Sequence, residues 1–160
     1  MYARYVEHRT ILIMEILNKH FRELNTTELF KIYELRALVF VVEQNCPYQD
    51  VDTLDLMARH VLFMQGDQLV AYARIMAGKT EGPESKIGRV VVHPDFRGQT
   101  IGKDLMKYCI HQALELSENK EIVISAQAYL LRFYTDLGFK AEGAEYLEDT
   151  IPHWTMRLKS

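Results

Sequence analysis

The chain has 160 residues, enough for one well-buried core and too few for two ordinary domains. With 48% hydrophobic and 26% charged residues its composition is that of a globular protein, neither disordered nor membrane-embedded. A net charge of −3 gives no basic footprint for nucleic acid, and two cysteines are too few for a disulfide framework, which favours a reducing, cytoplasmic setting. The six histidines show no ligand-like spacing, so no metal site is expected.

Residues 1–10 are polar and aromatic, and residues 11–17 form an apolar run too short to span a membrane and without a small-residue cleavage site after it. Met14 suggests that residues 1–13 are an upstream extension of a domain covering 14–160. Mass spectrometry of the protein from its host tests this hypothesis, and an intact peptide beginning at Met1 would sink it.

Asn25-Thr26-Thr27-Glu28 reads as a capping box opening a helix that runs to about Glu43. Leu29, Ile32, Tyr33, Val39 and Phe40 supply the helical spacing, and Asn45-Cys46-Pro47 ends it. An acidic connection follows. Residues 60–65 and 68–77 read as strands joined at Gly66-Asp67, with a further strand over 86–93. A helix after Gly98 places Ile101, Leu105, Cys109, Ala113 and Leu116 on one face. Then come a strand over 121–126, a second helix closed by Gly138, and short final strands over 139–141 and 151–158. This order implies one mixed α/β sheet with helices on its faces.

The most informative segment is Val90-Val91-Val92-His93-Pro94-Asp95-Phe96-Arg97-Gly98-Gln99-Thr100-Ile101-Gly102-Lys103: an apolar strand, a proline stop and a glycine-bearing turn that feeds a helix. The first amides of a helix lack partners and carry the positive end of its dipole, so such a turn accepts an anion such as a diphosphate. Arg97 and Lys103 add charge. A P-loop is excluded, because Gly98 and Gly102 enclose only three residues and Asp104 follows Lys103. A G-x-G-x-x-G dinucleotide fingerprint is absent too.

The remaining spacing, Arg97-Gly98-x-Thr100-x-Gly102, resembles the acyl-CoA motif of the GCN5-related N-acetyltransferase superfamily, with Thr100 where a motif glycine is usual. Gln127-Ala128-Tyr129 followed by Phe133-Tyr134-Thr135-Asp136-Leu137-Gly138-Phe139 resembles the same superfamily. Residues 36–52, with Tyr146, Glu148, Asp149, Ile151, Pro152 and His153, resemble its ElaA-like subgroup. The resemblance implies a mixed, mostly antiparallel sheet with helices on both faces and a splayed central strand pair. It also implies acetyl-CoA as donor and an amine as acceptor, read here as a primary amine of a small molecule or peptide; Asn45-Cys46-Pro47 has no evident histidine partner in sequence, so direct transfer in a ternary complex is expected, by a monomer or homodimer.

Donor contacts are then expected at Val90, Val91, Val92, Arg97, Gly98, Gln99, Thr100, Ile101, Gly102, Lys103 and Gln127. The resemblance makes Tyr134 the acid for the departing thiolate; a core tyrosine on an amphipathic face is the bland alternative. An attacking amine must be neutral, so a base is needed, with Glu43 the first candidate and His60 the second. Arg36 and Glu43 interrupt an apolar run about 10 Å apart along one helix face; either they line a polar cavity or each meets a structural partner elsewhere. Arg36, Gln44, Tyr48, Asp52, His60 and His153 are the acceptor-side candidates. Acidic residues at 50, 52 and 55, and again at 145, 148 and 149, would suit a cationic amine, although charged loops are usually just solvated. Two alternatives stay open: an acyl-homoserine-lactone-synthase-like acyltransferase, and a CoA-responsive binding module without turnover.

Overall fold

A computed structural model describes residues 14–79 and 82–160. The suggested extension over 1–13 therefore lies outside the described residues. Seven strands form one sheet in the order β1-β2-β3-β4-β5-β7-β6. In chain order these are β1 (Met14–His20), β2 (Arg59–Gln65), β3 (Gln68–Met76), β4 (Ser85–Val92), β5 (Glu121–Gln127), β6 (Lys140–Glu148) and β7 (Ile151–Lys159). The helices are α1 (Thr26–Arg36), α2 (Ile101–Leu116) and α3 (Leu131–Asp136).

The capping box at the start of α1 is formed. Asn25 Oδ1 accepts from the Glu28 amide at 2.8 Å, and the Glu28 carboxylate accepts from the Asn25 amide at 3.0 Å. The helix continues to Glu43, as its apolar spacing implies, but over Ala37–Glu43 it widens into π geometry. Such bulges are rare and concentrate at functional sites. This one carries Glu43 and Gln44 to the rim of the cleft described below.

Strands β2 and β3 are buried on both faces, which is why they read as nearly unbroken apolar runs. Leu62, Met64, Leu69 and Tyr72 pack under Ile32, Leu35 and Val39 of the first helical segment. On the opposite face Val61, Phe63, Ala71, Ala73 and Ile75 join Ile101, Leu105, Met106, Cys109 and Ala113 of α2. Gly66, at φ +58, makes the tight turn between these two strands.

Two strands depart from the sequence expectation. β1 pairs along its whole length with β2, from Met14 opposite Gln65 to His20 opposite Arg59, where only an apolar run was legible. β6 is nine residues long rather than three. As an outer strand it is exposed throughout, so no burial pattern marks it.

All neighbouring strands run antiparallel except β4 and β5, which pair in parallel at Ser85–Ile122 and Lys86–Val123 and nowhere further on. Beyond that point the two strands diverge, and the β5-facing edge of β4 is left without a strand partner. On its other edge β4 bulges against β3. Arg74 faces Gly88 and Tyr72 faces Val91, so Arg89 and Val90 together oppose the single residue Ala73. Arg89 sits at φ +53, a left-handed conformation that a long side chain adopts at a cost of about 1–3 kcal/mol.

Candidate active site

The divergence of β4 and β5 opens a cleft of about 750 Å³. Its walls are the free edge of β4, the C-terminal half of β5, the end of the π segment, the turn before α2, the start of α3, and the facing ends of β6 and β7. Parallel strands that part in this way present their unpaired backbone to a ligand, which is the geometry of α/β binding crevices.

The turn between β4 and α2 forms one end of the cleft. Gly98 takes φ +75, a value open to glycine and strained for other residues. Thr100, at the N-cap of α2, has an ordinary φ of −78°, so no glycine is required there. Its hydroxyl donates to Asp104 at 2.7 Å and caps no amide, so the leading amides of α2 remain available to an anion. The capped start of α1 shows the contrast. At Gly102 a Cβ would lie 3.4 Å from Val92 Cγ2 and 3.9 Å from Phe133 Cζ, ordinary contact distances, so packing within the chain does not itself demand a glycine there.

Among the expected donor contacts, Val90, Val91, Val92, Arg97, Gly98, Gln99, Gly102 and Gln127 line the cleft. Thr100 and Ile101 border a smaller depression beside it, Ile101 is mostly core, and Lys103 is exposed outside the cleft. Tyr134 and Glu43 both line it. Tyr134 is 6% exposed, with its ring edge-on to Phe133 and Phe139. Burial and, secondarily, Tyr129 push its phenol well above the ordinary tyrosine value, so it stands protonated as a donor must. Glu43 Oε1 is paired with Arg97 Nη1 at 2.9 Å, which joins the expected base to the expected diphosphate ligand.

Of the residues expected on the acceptor side, Gln44, Tyr48 and His153 line the cleft, whereas Arg36, Asp52 and His60 do not. Gln44 and Gln127 exchange amide hydrogen bonds at 3.1 and 3.4 Å, tying the π segment to the end of β5. Of the two alternatives for Arg36, the structure takes the structural partner. The side chain is fully buried and donates to Asp50 Oδ2 at 2.7 Å, Asp55 Oδ1 at 2.8 Å and the Asp50 carbonyl at 2.9 Å. Arg74 Nη1 meets Asp52 at 2.6 Å and Asp55 at 2.8 Å. Arg89 Nε lies 2.8 Å from Asp50 Oδ1, a charge contact without hydrogen-bond geometry, and its Nη2 donates to the Asp50 carbonyl at 3.1 Å.

Three arginines thus neutralise three aspartates. The first acidic loop is a cross-brace under the cleft and not a lure for a cationic acceptor. For Asp55, burial alone would raise the carboxyl, but the hydrogen bond and charge of Arg36, then those of Arg74, outweigh it and hold the group below its ordinary value. Asp52 behaves likewise through Arg74. His60 Nε2 faces the Asp55 carbonyl at 2.9 Å, and a carbonyl only accepts, so that nitrogen carries the proton. The Tyr72 hydroxyl then donates to Nδ1 at 2.7 Å. Burial, the largest influence on the ring, drives its protonation below the usual histidine range. His60 is a neutral strut with both nitrogens committed.

Arg74, Arg89, Ser125, Tyr129, Tyr146 and Glu148 also line the cleft, beyond the residues nominated from sequence. Tyr129, Tyr146 and Glu148 lie in segments that carried the resemblance. Ser125 and the two arginines had no sequence signal, because their roles depend on the strand divergence and on the bulge.

The family model described as "Acetyltransferase (GNAT) domain" matches residues 34–160. The chain belongs to the GNAT acetyltransferase family. It is 41% identical over 143 residues to protein ElaA of Escherichia coli K12, which covers 88% of this chain and 94% of that one. The crystal structure of Escherichia coli ElaA superposes with a TM-score of 0.85 at 39% identity, covering 92% of this chain and all of that one. An acyl-CoA N-acyltransferase from Pseudomonas aeruginosa gives 0.86 at 40% identity over 91% of this chain and 99% of its own. A CoA-dependent acyl-homoserine lactone synthase, at 16% identity and TM-score 0.72 over 90% of this chain and 82% of its own, shares the fold alone. This GNAT domain is therefore an acyltransferase, and the splayed strand pair is the expected central feature of its fold.

Proposed function

We propose that the cleft binds acetyl-CoA and that the enzyme moves its acetyl group to a primary amine of a small molecule or peptide, by direct attack in a ternary complex. The observation that carries this reading is the single opening that runs from the uncapped start of α2, along the unpaired edge of β4, to Tyr134. The leading amides of α2, with Arg97, suit a diphosphate, and its arrival would compete with the Glu43 contact. The free edge of Val90, Val91 and Val92 suits the pantetheine arm and can donate to the thioester carbonyl as negative charge develops on it. Tyr134, protonated and facing the same cleft, serves as acid for the thiolate.

Of the carboxylates that line the cleft, Glu148 can accept a proton as it stands, and Glu43 becomes available as a base once a diphosphate draws Arg97 away from it. Gln44, Tyr48 and His153 shape the acceptor end; Arg36, Asp52 and His60 act there by holding the floor beneath it. Cys46 also lines the cleft, but its thiol donates to the Asp149 carbonyl at 3.3 Å and meets no histidine among the described residues, which favours direct transfer over an acyl-enzyme. The free thiols of Cys46 and Cys109 suit a reducing, cytoplasmic setting.

The test is thiol release from acetyl-CoA across polyamines, amino acids and peptides. Turnover with at least one amine, without an acyl carrier protein, supports the reading. Turnover only with a carrier-bound acyl group would point to the lactone-synthase alternative, and binding without thiol release to a CoA-responsive module.

A further inference from the structure

At the acceptor end, side chains from two strands form a chain of short hydrogen bonds. Ser125 of β5 donates to Glu148 Oε2 of β6 at 2.6 Å, and its oxygen lies 2.5 Å from Tyr146 Oη. A serine hydroxyl has one proton, and a carboxylate can only accept. With the serine proton committed to Glu148, Tyr146 must be the donor to Ser125. The chain therefore has a direction, from the tyrosine through the serine to the carboxylate, and the Tyr146 oxygen keeps acceptor capacity for another donor.

The ring that carries this oxygen is held in place. Tyr146 stacks on His153, with centroids 6.1 Å apart and planes at 26°, and His153 Nδ1 donates to the Ile151 carbonyl at 2.7 Å. Ser125, Tyr146, Glu148 and His153 all belong to the wall of the cleft. Among the other carboxylates nearby, Glu43 is paired with Arg97 and the three aspartates of the floor with three arginines, while Asp149 lines the cleft outside this hydrogen-bonded chain. Glu148 meets no cation among the described residues.

We propose that an alkylammonium acceptor docks on Tyr146 Oη and loses a proton through Ser125 to Glu148. This rests on the acetyltransferase reading above. The ammonium N–H passes its proton to Tyr146 Oη as the tyrosine proton moves to Ser125 Oγ and the serine proton to Glu148 Oε2. The freed nitrogen lone pair forms the N–C bond to the thioester carbonyl carbon, the C–S bond breaks, and the thiolate takes the Tyr134 proton. The N-protonated amide then loses its second proton, which restores Tyr134 through water, and Glu148 returns its proton to solvent. The sum is one amide, one CoA thiol and one proton released. Tyr146 touches the substrate; Ser125 and Glu148 act through it.

The experiment measures steady-state thiol release by the full chain with the fastest alkylammonium acceptor of the screen, for wild type, Glu148→Gln, Ser125→Ala, Tyr146→Phe and Ser125→Ala/Glu148→Gln. Each single change should lower kcat by about 10²-fold or more while the KM for acetyl-CoA stays within about twofold. The double variant should be no slower than the slower single, because removing one link already disables the chain. A merely structural role would instead show multiplying losses or a shared rise in acetyl-CoA KM. Either of those results, or an unchanged kcat in Glu148→Gln, overturns the relay and leaves wild-type acetyl transfer standing. No wild-type turnover with any amine removes the acetyltransferase reading and the relay together.

Discussion

Tyr134 and Thr100 are the residues at which the account is most exposed to a single substitution. A proton donor to the leaving thiolate acts only as the C–S bond breaks, so Tyr134→Phe should keep the fold and acetyl-CoA affinity while lowering the single-turnover rate by about 10²-fold. Equal rates in the two proteins would return Tyr134 to a packing role. At Thr100 the φ of −78° asks for no glycine, and the hydroxyl is spent on Asp104. Thr100→Gly should therefore leave the Kd for acetyl-CoA within about threefold by calorimetry, and a tenfold loss, about 1.4 kcal/mol, would mean that the side chain itself meets the ligand. The Arg97-Gly98-x-x-x-Gly102 turn was legible in sequence because Gly98 answers a local demand of backbone angle and its spacing to Gly102 is a local pattern. Ser125 was not legible, since a serine in a strand acquires meaning only when β6 brings Tyr146 and Glu148 across from it.

At the scale of elements, the acidic loop and the π segment are held together by charges that sequence could show only as separate polar interruptions. Arg36→Ala leaves Asp50 and Asp55 buried beside an empty place, and its stability by urea denaturation should fall by about 3–5 kcal/mol. The same brace sets the pH dependence of stability. His60 is held neutral in the fold, so below its ordinary value of 6.5 the unfolded chain takes up a proton that the folded chain refuses. Stability should accordingly begin to fall as pH drops below 6.5, down to the lowered folded value. A second loss follows as pH falls from the ordinary carboxylate value near 3.8 through the depressed values of Asp52 and Asp55, whose contribution is complete only above that range. Melting temperature followed against pH should show both descents in wild type, and only the lower one in His60→Gln. A single acid transition in wild type would contradict the assignment of His60. The strands β2, β3 and β5 were readable from burial, whereas β6, exposed along its whole length, offered no periodicity to read.

For the whole molecule, the fold matters because one departure from regular pairing creates the cleft. Two parallel strands pair for two residues and then part, a bulge at Arg89 turns β4, and the cleft between them collects residues from nearly every later element. The mixed sheet and the succession of helices could be inferred from the order of motifs. The three-arginine brace could not, since Arg89 reaches Asp50 only through a left-handed backbone that its residue type does not announce. The central claim is that this cleft is the acetyl-CoA site, and the most direct measurement is the melting temperature of wild type and Gly102→Glu titrated with acetyl-CoA. At about a hundredfold excess over Kd, wild type should gain about 2.7 kcal/mol of stability and a matching rise in Tm. The substituted side chain would project a carboxylate between Val92 and Phe133 at the anion end, so Gly102→Glu should melt at a constant temperature across the titration. A wild-type Tm that does not move at saturating acetyl-CoA, or an equal rise in the variant, would contradict the account.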